Sequence, residues 1–198
     1  MAARLAAAVL LGALASGCAL VTPAPPPPAK EVLLKTPAEV PQGESRVPVL
    51  VVLAPRSRPL YDSTRIAYRL QPYEIASFAR HEWGEPPARM LQPLVMRTLQ
   101  ASHCCRAVVA APYVGPTAFL LHTDLQDLFA DFTLEPAAVQ LSIHFALSDG
   151  VAGRIVATRD ITVREPMTGK SPEATVAAAN EAVAKAMLEL ALFVIDLK

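Results

Sequence analysis

Residues 119–164 read FLLHTDLQDLFADFTLEPAAVQLSIHFALSDGVAGRIVATRDITVR. From Val139 to Leu147, apolar residues alternate with polar or small ones at period two, as in a strand with one buried face. Asp149-Gly150 then marks a turn, with Gly153 just beyond it. From Arg154 to Arg164, Ile155, Ala157, Ile161 and Val163 share one face, and Thr158, Asp160 and Thr162 share the other. Upstream, Phe119, Leu121, Thr123 and Leu125 alternate with Leu120, His122, Asp124 and Gln126. The apolar parity then slips to Leu128, Ala130 and Phe132, which predicts a bulge near Asp127. Three consecutive strands of this kind form an antiparallel meander with a polar outer face.

The rest of the fold follows from what must cover the apolar face. Ser171-Pro172 is an N-cap followed by proline at the first helical position. Beyond it Val176, Val183, Met187, Leu190 and Val194 form an apolar stripe, and many alanines raise helix propensity. A second helix follows Pro86-Pro87, with Met90, Leu91, Leu94, Val95 and Leu99 on one side. Pro93 removes a backbone donor, so it is expected in the first turn or at a bend. Val47–Leu53 is apolar on both parities and reads as a central strand, and Glu31–Lys35 reads as a short first strand. Arg65–Leu70 and Tyr73–Ala79 read as two extended arms joined by Gln71-Pro72. The expected fold is α+β in two layers: a mostly antiparallel sheet with two main amphipathic helices on one face.

The N-terminus carries an address. Arg4 precedes the apolar or small run Leu5–Leu14, about ten residues where a membrane span needs roughly 20. That is the profile of a secretory signal. Ala15-Ser16-Gly17-Cys18 resembles a bacterial lipobox, in which the cysteine thiol takes a diacylglycerol before cleavage. The large aliphatic residue, Leu14, stands one position early. The expected organisation is a signal peptide over 1–17, then a lipidated Cys18 and proline-rich tether over 18–30. One α+β domain occupies 31–198. Several acyl chains hold such a protein on a membrane where one chain does so only marginally. Ala19 rather than Asp after the cysteine favours the outer membrane by the usual sorting rule. Pro23 and Pro25–Pro28 make an extended spacer. The alternatives are a plain secretory signal with an incidental Cys18, and a proline-rich peptide ligand.

Composition narrows the function. Lys plus Arg and Asp plus Glu number 18 each among 198 residues, so the chain lacks the net charge of a general nucleic-acid binder. A small basic cluster exists in Arg56, Arg58, Arg65 and Arg69. No Gly-x-Ser-x-Gly elbow, phosphate-binding glycine loop or His-Glu-x-x-His motif occurs, and glycine is scarce at 8 residues. The chain is therefore read as no enzyme, with no cofactor and no metal. His122, Asp124 and His144 share the polar strand parity, which a solvated sheet face explains more simply than a metal site. Besides Cys18, the cysteines are the adjacent Cys104 and Cys105. Neighbouring Cα atoms lie about 3.8 Å apart, below the usual disulfide window, so a bridge between them would be strained and redox-labile. One of the two is expected to face the core, with an intermolecular disulfide the main alternative.

One stretch carries a family signal: YDSTRIAYRLQPYEIASFARHEWGEPPARMLQPLVMRTLQAS, residues 61–102. Tyr61-Asp62, the strand Arg65-Ile66-Ala67-Tyr68-Arg69, Trp83, Pro86-Pro87 and Met90-Leu91 stand in a characteristic order. The stretch resembles the PqiC-like family of ABC-type transport auxiliary lipoproteins. The likeness extends to VLLK, RAVV, the meander and the final alanine-rich helix, though HCCRAVV has cysteines where the family usually has a small-aromatic pair. The resemblance implies a small α+β domain with a non-catalytic role. It implies as partners an MCE-domain protein and an ABC permease and ATPase, and it admits a homo-oligomer. Such systems move phospholipids or other hydrophobic molecules between inner and outer membranes. The implied location is the outer membrane, lipid-anchored and facing the periplasm of a Gram-negative bacterium. Tyr61, Arg65, Tyr68 and Trp83 are candidate partner contacts, since aromatic residues and Arg dominate interface hot spots. Packing of Tyr68 and Trp83 within the domain is the alternative role. The competing function is an outer-membrane scaffold lipoprotein of another envelope machine, such as a peptidoglycan synthase activator.

Overall fold

The computed structural model describes residues 27–31, 33, 35–43, 47–115 and 118–197. The signal, Cys18 and most of the proline tether lie outside these residues. The chain forms β1 (Ala29–Glu31), β2 (Val47–Val52), β3 (Arg56–Ser57), β4 (Arg65–Arg69) and β5 (Ala76–Trp83), followed by helix α1 (Pro87–Ala101). Then come β6 (Cys105–Ala110), β7 (Phe119–Asp131), β8 (Ala138–Asp149), β9 (Ile155–Pro166) and helix α2 (Pro172–Ile195).

Strand β7 is the spine. Along one edge it pairs antiparallel with β8, which pairs antiparallel with β9, and these are the long ladders. The expected bulge is there, a register shift between Leu125 and Asp127. Along its other edge β7 takes β2, β3 and β4 in succession, all parallel: Leu50 opposite Phe119, Arg56 opposite Asp124, Arg69 opposite Asp131. Residues 47–69 therefore behave as one interrupted strand. Pro55 and Pro59 fall in the interruptions, where a residue without an N–H breaks the ladder. Strand β6 extends the sheet beyond β2, and β5 and β1 extend it beyond β4.

The meander buries the face that period two selects. Val139, Leu141, Ile143, Phe145 and Leu147 are all essentially inaccessible to solvent, each worth roughly 1.5–3 kcal/mol on leaving water. Both helices cover that face: α1 packs on β2, β3 and β6, while α2 packs on β7, β8 and β9, and the two touch each other. The two-layer α+β fold is thus as read. On α2, Val183, Met187, Leu190 and Val194 are buried as the stripe requires, and Ala179, Ala182 and Ala186 let the helix approach the sheet closely. The Ser171 hydroxyl accepts from the Ala174 N–H at 3.2 Å. Ser171→Ala is expected to lower the unfolding free energy by about 1 kcal/mol, measured by urea denaturation, and Ser171→Asp to retain most of it.

Three expectations change, and for Pro93 one of two alternatives falls away. The first strand is Ala29–Glu31 rather than Glu31–Lys35. Beyond it the chain leaves the sheet: the Lys35 N–H donates to Asn180 Oδ1 of α2 at 3.1 Å, and Lys35 pairs with Glu181. The second arm starts at Ala76, because Tyr73 sits at φ 66° and lengthens the turn. Pro93 lies beyond the first turn of α1, inside the helix. On β9, Ile161 and Val163 are buried, but Ile155 is 64% exposed and shares its end of the strand with exposed Val156. A register shift at Leu147/Ser148 precedes this end, where the apolar parity no longer meets the core.

Candidate partner-binding edge

The 61–102 stretch supplies strands β4 and β5 and the start of the helical layer. Strand β5 is bent. Arg65 is opposite Glu82 while Ala67 is opposite Ser77, so several residues of β5 bulge out over two of β4. The short β1 covers only His81, Glu82 and Trp83 on the other side. Among the described residues, Ala76–Arg80 has no strand partner on that edge. A groove of about 440 Å³ runs there, lined by Arg65, Ile75, Phe78, His81 and Glu82, with Pro28 at its end.

Polar contacts fix β1 onto the end of this edge. Lys30 pairs with Glu82, whose other oxygen accepts from Thr64 Oγ1 at 2.9 Å. The Lys30 hydrogen bond first, then that of Thr64, holds the Glu82 carboxyl below its usual range. His81 lies 3.1 Å from Glu31 through Nδ1 and 3.6 Å from Glu173 at the start of α2 through Nε2. The N-terminal end of the described domain is thereby tied to both layers.

The four candidate contacts separate in space. Arg65 is exposed and lines the groove. Tyr68 is half-buried, with its ring 4.7 Å from Phe78 and 5.6 Å from Phe132, and Phe78 forms the groove wall. Trp83, at 2% exposure, belongs to the core. Tyr61 is also buried and bonds Asp127 Oδ1 at 3.1 Å. Burial, then the nearby Asp127 charge, pushes its hydroxyl above the usual tyrosine range. Phe78 was not singled out by sequence, although it shares the parity of Ala76, which faces the same way as Tyr68.

Three of the four arginines of the basic cluster are neutralised by register. Arg56 bonds Asp124 at 3.1 Å, Arg58 bonds Asp127 at 3.3 Å, and Arg69 forks onto Asp131. For Arg65 no carboxylate lies within ion-pair distance among the described residues, which leaves its charge available to a partner. On the outer face, Asp124, His144 and Asp160 form one cross-strand row, with His144 Nδ1 2.6 Å from Asp160. His122 instead bonds Ser148 at 3.1 Å. The three polar residues of that parity thus engage separate partners.

Comparison with known proteins follows the same outline. No curated protein matches the chain. The protein XCC0632 of Xanthomonas campestris shares the fold, with a TM-score of 0.69 at 24% identity over 84% of this chain and 93% of its own. A crystallised uncharacterised protein does so at 0.69 and 13% identity, over 85% and 99%. The family model for the ABC-type transport auxiliary lipoprotein component matches residues 32–191. The chain therefore belongs to the ABC-type transport auxiliary lipoproteins, membrane-anchored components of the bacterial envelope that fall in no known enzyme class.

Proposed function

We propose that this protein is a non-catalytic, lipid-anchored periplasmic subunit of an MCE-type ABC system that moves phospholipids or other hydrophobic molecules between the two membranes. The observation that carries the reading is the family match across 32–191 behind a lipobox-like N-terminus. In this reading residues 1–17 are removed, Cys18 carries the acyl chains in the outer membrane, and the prolines up to residue 30 hold the domain away from it. The MCE-domain protein and the ABC permease and ATPase are the partners. The β5 edge is the docking surface, with Arg65 and Tyr68 as contacts. Tyr61 and Trp83 support that surface from within the domain.

The test is intact mass, membrane fractionation and crosslinking of native protein beside Cys18→Ala. The native chain is expected to be acylated at Cys18, to sediment with outer membranes and to crosslink to an MCE-domain protein. Cys18→Ala is expected to be unacylated and soluble. Arg65→Glu is expected to reduce the crosslink severalfold with no change in Tm. A soluble, unmodified native protein would overturn the anchor, and failure to capture any MCE-domain protein would overturn the transport assignment.

A further inference from the structure

Cys104 and Cys105 are placed in a way their adjacency does not dictate. Successive side chains on an extended backbone point to opposite faces. Here the two sulfurs lie 3.2 Å apart. The cause is the junction between α1 and β6. Ser102 caps the helix with its N–H on the Thr98 carbonyl, and His103 then takes the left-handed conformation at φ 51°. That residue turns the chain before β6 begins, so both thiols lie on one side.

The junction is pinned on several sides. Ser102 Oγ donates to the Leu99 carbonyl at 2.9 Å and accepts from the Cys104 N–H at 3.4 Å. Cys104 Sγ reaches the same carbonyl at 3.7 Å, and the Gly43 N–H donates to the Ser102 carbonyl at 3.2 Å. The two thiols differ in access: Cys104 is buried at 1% exposure, while Cys105 is partly open and followed by exposed Arg106. Both are free thiols.

We propose that Cys104 and Cys105 form an oxidative modification site, a vicinal dithiol that closes to a cyclic disulfide by exchange with a disulfide oxidant. The accessible Cys105, once it has given up its proton, attacks one sulfur of the oxidant, breaking its S–S bond and releasing one thiol. A mixed disulfide on Cys105 results. Cys104 then attacks the Cys105 sulfur as a thiolate, closing the ring and releasing the second thiol. Two protein thiols are oxidised, one disulfide is reduced to two thiols, and their protons pass to the departing thiolates. In the reduced pair the Cys105 thiol donates to Cys104, which draws Cys104 down to about 7 against the opposing effect of burial and pushes Cys105 up, so one proton is held between the two sulfurs until the first exchange. The sulfurs must close from 3.2 Å to about 2 Å, a local movement. The short Cα spacing strains the ring, so it reopens readily with excess thiol. This inference rests on the thiol geometry and does not depend on the transport reading.

The test uses full-length protein extracted from membranes and equilibrated with oxidised or reduced glutathione, then alkylated and digested with trypsin. Arg97 and Arg106 bound a peptide, residues 98–106, that holds both cysteines and no other. After oxidised glutathione it is expected to be unalkylated and lighter by two hydrogens, with dithiothreitol restoring double alkylation. Cys104→Ala is expected to accumulate a stable glutathione adduct on Cys105, which the native protein does not. Cys105→Ser keeps the buried sulfur, guards against loss of folding, and is expected to form neither ring nor adduct. A native peptide that stays doubly alkylated, accumulates the adduct, or appears in disulfide-linked dimers overturns the proposal.

Discussion

Asp131→Ala is expected to lower the unfolding free energy by about 2–4 kcal/mol, read from urea denaturation at neutral pH. Asp131 sits at the end of β7 at 1% exposure. One oxygen accepts from the Thr133 N–H at 3.1 Å, the Thr133 hydroxyl at 2.6 Å and Arg69 Nε at 3.2 Å, while the other takes Arg69 Nη2. Removing the carboxylate leaves these donors without their acceptor where water enters poorly. The figure is set below that of a fully buried pair because Arg69 remains about one-third exposed. The effect has a pH signature. Burial pushes the carboxyl up, but the Arg69 fork and the Thr133 bonds outweigh it and hold it below the usual range. A depressed carboxyl stabilises the fold above its unfolded pKa of about 3.9, and that contribution is lost as pH falls through the lower folded value. Asp131→Asn should therefore flatten the acid limb below about pH 4 relative to the native protein. A loss under about 0.5 kcal/mol would place the pair with ordinary surface ion pairs.

Trp83→Ala is expected to remove about 3–5 kcal/mol and to lower Tm by roughly 10 °C. Trp83 is the largest of the fully buried side chains, at the end of β5 where β1 closes the edge. Its backbone N–H donates to the Thr64 carbonyl at 2.7 Å, joining β5 to the start of β4. It is the one tryptophan of the sequence, so its emission reports the site directly. A native spectrum shifted to the blue, moving to the red in step with unfolding, is the expected result. Trp83→Phe should keep most of the stability. Were Trp83 instead a direct contact, the alanine variant would retain its Tm and lose only partner crosslinking.

The contrast between these two residues and Arg65 shows where sequence reading ends. Tyr61, Arg65, Tyr68 and Trp83 are of one kind as residue types, and pattern alone cannot separate an aromatic that packs from one that waits for a partner. Burial separates them: Tyr61 and Trp83 inside, Tyr68 half in, Arg65 out. The basic cluster behaves likewise. Arg56, Arg58 and Arg69 meet Asp124, Asp127 and Asp131 only because a parallel register brings 56–69 alongside 124–131.

By itself the sequence determined the elements whose signals are local. The meander and its bulge follow from period two and one slip of phase. The final helix follows from Ser171, Pro172 and an apolar stripe, and the two-layer architecture follows from one polar and one apolar sheet face. Tertiary structure alone decided what joins distant segments. The alignment of β2, β3 and β4 along β7, the bent and open edge of β5, and the exposed end of β9 depend on pairing across long separations. Such pairing leaves no periodicity in either partner. The convergence of Cys104 and Cys105 came from one left-handed residue at a helix end, a backbone choice made by packing on both sides of it.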